Sequence, residues 1–325
     1  LTMSRLPRLT GLAIAATFTV TAAAPVSASA QPAASTASAA AEAAAPASQA
    51  AVSSYETTVG GDPATVYHPA AGADLPVALL LQGANVGRAH YEAYARIVAS
   101  HGFAVVVPDH TRIIFGVPGL YPVQEQAART VLWAKAENAT ATGPLTGRID
   151  VGSLVLIGHS FGGVAGLHTL QGPCQVPFCV PPGEPRPAEL KAAVFHGTNT
   201  ADPASGGVLP IDTHGIPVAL VQGDRDGLAL PAQAEQTYSA LVDGPASLVT
   251  ITGANHYSLT NTQNPTGARP DLSPPTLAQT AAIETSARWT ALYLRARLGD
   301  GWAAAYLYSG LADFFDASVT VQHRS

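Results

Sequence analysis

The chain has 325 residues, enough for one large domain or two modest ones with a full hydrophobic core. Apolar residues make up 47% and charged residues only 12%, so a charge-solvated disordered chain is excluded. With 16 Lys and Arg against 22 Asp and Glu the net charge is −6, and nothing basic is available to track a phosphate backbone. A nucleic-acid partner is therefore not expected.

Arg5 and Arg8 precede an apolar run from Leu9 to Ala24, and small residues follow as far as Ala28-Ser29-Ala30. That is the layout of a secretory leader, residues 1–30, with cleavage near Ala30. Threonines and Gly11 interrupt the run, which falls short of the ~20 apolar residues of a membrane span. A leader is read in preference to an anchor, so a secreted protein without stable membrane insertion is expected. Residues 31–53 are almost wholly Ala, Ser, Pro, Gln and Thr and read as a disordered spacer. Residues 54–325 read as one domain. Cys174 and Cys179, the two cysteines, stand close together in C-Q-V-P-F-C. In an exported chain such a pair is expected to form a local disulfide. A zinc site would need further ligands nearby, and none is expected.

From Tyr55 onward, apolar runs alternate with amphipathic segments. Thr57–Val59 and Ala64–Tyr67 flank Gly60-Gly61-Asp62-Pro63 and predict an antiparallel pair. Val77–Gln82 is a continuous apolar run, as a strand buried on both faces requires. Tyr91, Tyr94, Ala95 and Val98 recur at helical spacing, closed by Gly102, and Phe103–Val107 is a second buried strand. A helix over Val123–Glu137, a strand at Leu154–Ile157 and a helix over Gly162–Leu170 follow. Ala192–Phe195, Val218–Val221 and Leu248–Ile251 are further strands, and Pro231–Val242 and Thr276–Leu298 are helices. Strands alternating with helices predict an α/β fold with a mostly parallel sheet covered on both faces.

The strand Leu154–Ile157 runs into Gly158-His159-Ser160-Phe161-Gly162-Gly163, a G-x-S-x-G between strand and helix. A serine on so tight a turn needs small neighbours two positions either side, and Gly158 and Gly162 supply them. The turn lifts the Ser160 hydroxyl above the sheet, where the next helix aims its N-terminal N–H groups. Serine needs a base, and the base needs an orienting acid. His256, in Thr252-Gly253-Ala254-Asn255-His256-Tyr257 just past a strand, is the candidate base. For the acid, Asp226 in Gly223-Asp224-Arg225-Asp226-Gly227 is placed first, ahead of Asp224 and Asp202. A tetrahedral intermediate needs two N–H donors, expected from the backbones of Phe161 and Ala84, the latter in Gln82-Gly83-Ala84-Asn85. Asn85, Val86, Tyr257 and Phe161 are candidates for the pocket wall.

These residues together resemble the α/β-hydrolase superfamily. Within it the chain is similar to the branch of cutinase-like polyester hydrolases, dienelactone-hydrolase-like esterases and chlorophyllase-like enzymes. The stretches that carry the likeness are P-V-A-L-L-L-Q-G, I-V-A-S-H-G-F-A-V-V-V-P-D, G-H-S-F-G-G, G-D-R-D-G-L-A and G-A-N-H-Y, within residues 76–300. The resemblance implies an eight-stranded, mostly parallel sheet and a Ser160–His256–Asp226 triad acting through an acyl-enzyme, with no metal or organic cofactor. It favours Asp226 through the Gly227-Leu228-Ala229 that follows it, and it too puts an oxyanion donor at Ala84. There are departures. Polyester hydrolases usually carry a bulky residue at the position of Ala84. Chlorophyllases usually carry His where this chain has Gln82 and Arg where it has Phe161. The Pro-rich stretch 171–187, with both cysteines, reads as an insertion that forms a cap or a decorated edge.

The expectation is a secreted, monomeric serine hydrolase of small-molecule or polymeric carboxylic esters, on lipid-like or polyester substrates. The rivals are an amidase or other acyl hydrolase on the same fold, and a non-catalytic binding protein of that fold.

Overall fold

Val52–Val59 (β1) and Asp62–Pro69 (β2) pair antiparallel, with Val59 opposite Asp62. The turn between them is Gly60-Gly61, with φ of 59° and 96°, the positive values that a tight hairpin loop demands. In this computed structural model the described residues are 50–114, 116–202 and 206–325. The leader and the spacer as far as residue 49 lie outside them, and β1 opens inside the end of the segment read as spacer.

Leu75–Leu81 (β3) is buried along its whole length. Its side chains alternate between two cores: Ala78 and Leu80 join one, and Val77, Leu79 and Leu81 the other. The same holds for Ala104–Pro108 (β4) and the inner part of Ile149–His159 (β5). Leu190–His196 (β6), Val218–Gly223 (β7) and Ala246–Ile251 (β8) complete the parallel part. The order across the sheet is β1-β2-β4-β3-β5-β6-β7-β8. All neighbours from β4 to β8 run parallel, while β1/β2 and β2/β4 are antiparallel. This is the α/β-hydrolase fold.

The sheet has nine strands among the described residues, not the eight expected. Val319–Arg324 (β9) pairs antiparallel with β8 at the outer edge. Its sequence, V-T-V-Q-H-R, is half polar because one side faces solvent, so it lacks the continuous apolar run that marked the inner strands.

Helices cover both faces. Glu92–Ser100 (α1) buries Tyr94, Ala95, Val98 and Ala99 in the first core, and ends at Gly102 with φ 90° as a left-handed C′ residue. Gln126–Ala139 (α2) and Phe161–Gln171 (α3) contribute Val131, Trp133, Leu167 and Leu170 to the second core. Pro231–Ala240 (α4) stops where Leu241–Val242 becomes a short strand, two residues before its expected end. Gln279–Arg297 (α5) packs Trp289, Leu292 and Leu294 under the first core. A hairpin, Thr111–Ile114 with Val117–Leu120, was not foreseen.

Because β3, β5, β6, β7 and β8 are parallel, their C-terminal ends share one edge of the sheet. The segments leaving that edge are Gln82–Asn85, Ser160, Gly197–Thr198, Asp224–Asp226 and the loop carrying His256. In open parallel sheets this edge is where ligands bind.

Candidate active site

Ser160 sits at φ 54°, ψ −120°, a backbone state that costs a side-chain-bearing residue of order 1–3 kcal/mol. Close packing on both sides holds it there. A Cβ at Gly158 would stand 2.7 Å from the Gly162 carbonyl oxygen, and one at Gly162 would stand 2.2 Å from that of Leu81. The Ser160 N–H donates to the His196 carbonyl at 2.9 Å, tying the turn to the end of β6. The Ser160 carbonyl accepts from the N–H groups of Gly163 and Val164 and from the Thr198 hydroxyl.

His256 and Asp226 are buried together, with 4% and 3% of their surface exposed. Nδ1 of His256 lies 2.8 Å and 3.0 Å from the two oxygens of Asp226, so the ring donates into the carboxylate. Asp226 Oδ1 also accepts from the N–H groups of Leu228 and Ala229, at 2.9 and 2.7 Å, which fixes the carboxylate against rotation. Of the three candidate acids, Asp226 is the one the structure brings to His256. Asp224 is exposed and accepts from the Gly253 N–H at 2.7 Å, bracing the loop that carries His256. Asp202 lies in the loop after β6, with its N–H on the Gly207 carbonyl.

Ser160 and His256 line one open cleft of about 340 Å³, together with Ala84, Asn85, Phe161 and Tyr257. No hydrogen bond joins the Ser160 hydroxyl to His256 among the described residues; in unliganded sites such contacts are often long and tighten when substrate binds. The loop after β3 commits most of its N–H groups: Gly83 to the Tyr91 hydroxyl, Asn85 to the Leu120 carbonyl and Val86 to the Gly83 carbonyl. The N–H groups of Ala84 and Phe161, both on the cleft wall, have no partner among the described residues.

The pocket expectations divide. Tyr257 is on the wall, its hydroxyl donating to the Arg269 carbonyl and its ring edge-on to His256 at 5.0 Å. Asn85 is on the wall too, at φ 58°, with its side-chain oxygen accepting from the Leu120 N–H. Val86 is a correction. The turn closed by its N–H on the Gly83 carbonyl sends it into the first core, 1% exposed and off the cleft. Phe161 forms an aromatic wall with Tyr121 at 5.6 Å and Phe178 at 4.8 Å. Phe178 lies inside the loop closed by the Cys174–Cys179 disulfide, so the disulfide loop backs this wall.

Several residues of the site had no signal in the sequence reading. Asp271, 4% exposed, accepts from the N–H groups of His256, Gly227 and Ser273 and so joins the loops that carry Asp226 and His256. Gly197 packs against the Asp226–His256 pair: a Cβ there would meet Asp226 Oδ2 at 2.9 Å. Arg269 and Tyr121 also line the cleft.

Ser160 thus stands on a strained strand-to-helix turn at the C-terminal edge of a mostly parallel sheet with the α/β-hydrolase fold. Residues 37–171 match the chlorophyllase family model, a stretch that contains Ala84 and Ser160 and ends before Asp226 and His256. No match was found among curated proteins. No described helix is long and apolar enough to cross a membrane.

Proposed function

We propose that the protein is a secreted serine hydrolase that cleaves carboxylic esters through a Ser160–His256–Asp226 triad. The observation that carries this reading is the meeting of four features on one cleft: Ser160 on its strained turn, His256 held from behind by the buried Asp226, and the N–H groups of Ala84 and Phe161, unpartnered among the described residues. The match to the chlorophyllase family favours an ester over other acyl bonds.

Nε2 of His256 takes the Ser160 proton as Oγ attacks the ester carbonyl carbon. The carbonyl electrons move to oxygen, which the Ala84 and Phe161 N–H groups stabilise. Collapse of the tetrahedral adduct expels the alcohol, which takes the proton back from His256 and leaves an acyl-Ser160. Water, deprotonated by His256, then releases the acid and restores the serine. Asp226 keeps the ring oriented with its proton on Nδ1 and stabilises the imidazolium. Tyr121, Phe161, Val164, Leu228 and Tyr257 give the cleft apolar walls suited to aliphatic or aromatic acyl groups, as in lipid-like or polyester substrates.

A panel of p-nitrophenyl esters of increasing chain length, with matched anilides, tests the reading. Turnover of the esters with little on the anilides is expected. Absence of ester turnover, or faster anilide cleavage, would overturn it. The Cys174–Cys179 bridge agrees with an oxidising compartment; export is tested by the mature N-terminus of the secreted protein, expected near residue 31.

A further inference from the structure

His159, the residue before the nucleophile, is fully buried and does not reach the cleft wall. Its two ring nitrogens each have one partner: Nδ1 lies 2.8 Å from the Tyr91 hydroxyl, and Nε2 lies 2.9 Å from the backbone carbonyl of His256. Tyr91 in turn accepts from the Gly83 N–H at 2.8 Å. A carbonyl can only accept, so the proton of a neutral His159 is on Nε2. Nδ1 is then a lone pair, and the Tyr91 hydroxyl donates to it. The Tyr91 oxygen is left to accept from Gly83. Donors therefore run without a clash from Gly83 through Tyr91 to His159, and from His159 to His256, with every polar atom satisfied. Burial first, and the neighbouring His256 and His196 next, hold the His159 imidazolium well below the usual histidine range. The neutral ring that this pattern needs is thus the form present at working pH.

The bridge spans three pieces of the site. Gly83 adjoins Ala84, His159 adjoins Ser160, and the accepting carbonyl belongs to His256 itself. A Cβ at Gly83 would come within 2.8 Å of His159 Nδ1, so the first loop lies directly on the imidazole. The opposite end of His256 is held as firmly, its N–H donating to Asp271 at 3.0 Å. The two peptide units flanking the base are thereby anchored by buried side chains from elsewhere in the chain.

We infer that Tyr91 and His159 are positioning residues: their hydrogen-bonded bridge, from Gly83 to the His256 carbonyl, sets the distance between the oxyanion loop, the nucleophile turn and the base. The inference rests on the esterase reading above, since it assigns no new chemistry to either side chain. Neither touches the reacting atoms, and both act through their neighbours.

Two measurements test it. In the wild-type protein with ring-¹⁵N histidine, residue-assigned nuclear magnetic resonance from pH 5 to 8 should show His159, beside the equally buried His196, as a non-titrating imidazole with a pyrrole-type Nε2 and a pyridine-type Nδ1. The variant Tyr91→Phe should perturb that signal. On a p-nitrophenyl ester, Tyr91→Phe should lower kcat by about 10- to 100-fold with KM within about twofold, because a misplaced base loses turnover without losing substrate contacts. Rates are normalised to the serine titrated by a fluorophosphonate, so a loss of folded protein alone leaves kcat unmoved. A His159 that titrates in this range, or that carries its proton on Nδ1, would overturn the inference; so would wild-type kcat in folded Tyr91→Phe. Should the variant not fold, the wild-type spectrum still decides. Failure of the esterase reading looks different, because the wild-type protein itself would then neither turn over ester nor label at Ser160.

Discussion

Replacing Gly197 with alanine displaces the Asp226–His256 pair while removing none of the proposed catalytic groups. Gly197 follows β6 at φ 51°, and an added Cβ would stand 2.9 Å from Asp226 Oδ2, 3.1 Å from His256 Nδ1 and 3.3 Å from His256 Cε1. Two costs are separable. A side chain in this left-handed backbone state costs about 1–2 kcal/mol. The second cost is geometric: the carboxylate and ring that meet the new methyl are already bonded to each other at 2.8 Å, so the pair must shift together. Gly147 provides the control, with φ 65° and nothing within 4 Å of an added Cβ. Both Gly147→Ala and Gly197→Ala should lose about 1–2 kcal/mol, a fall in Tm of about 2–8 °C for a domain of this size. Only Gly197→Ala should also lower kcat, by about 10²-fold with KM nearly constant, since a small displacement of the base is enough. Thermal melts and initial rates per titrated serine give both quantities. Wild-type kcat in Gly197→Ala, with a stability loss equal to that of the control, would refute the claim that the Asp226–His256 geometry limits turnover.

Asp226→Asn should fold and bind substrate but lose about 10⁴ in kcat, because the amide cannot hold the ring with its proton on Nδ1; steady-state kinetics of the purified variant decide it. Gly162→Ala should not give a folded, active enzyme, since its methyl would lie 2.2 Å from the Leu81 carbonyl oxygen, and circular dichroism with activity checks this. Removing the disulfide by Cys174→Ala with Cys179→Ala should raise KM more than it lowers kcat, because Phe178 would no longer brace Phe161; equal KM values would contradict it. Stability should fall in acid. Burial pushes the His196 imidazole down to about 3 and holds His159 well below its usual 6.5, so the unfolded chain takes up protons that the native state refuses. The contribution of each is whole above pH ~6.5 and shrinks at about 1.4 kcal/mol per pH unit below it. Urea titrations at pH 7, 5.5 and 4.5 should show that slope, and a flat profile would contradict it.

The inner strands could be read from the sequence because a parallel strand covered on both faces must be apolar throughout, as Leu75–Leu81 and Leu154–Ile157 are. Ser160 was legible for a similarly local reason, since a sharp strand-to-helix turn needs Gly158 and Gly162 within five residues. Asp226 and His256 were singled out by position, each a few residues past a strand that ends on the same edge, and the structure pairs them at 2.8 Å. What escaped was non-local or half polar. β9 mixes polar with apolar residues because it is an edge, and the hairpin at Thr111–Leu120 leaves Ile113 and Val117 exposed. The direction of Val86 depends on a single turn closed through Gly83, which no periodicity reveals. Tyr91 looked like one more core residue of the first helical segment. Its hydroxyl acquires a role only when β3 and β5 are set side by side, bringing His159 to it across 68 positions of chain. Asp271 sits in a loop without pattern, and its three N–H partners come from three separate stretches.

The most direct measurement of the central claim is covalent: the mature protein is incubated with a fluorophosphonate and the modified peptide is located by mass spectrometry. One adduct per chain on Ser160 is expected, absent in Ser160→Ala and formed far more slowly in His256→Ala. An adduct on another residue, or labelling of Ser160 at the same rate without His256, would contradict it.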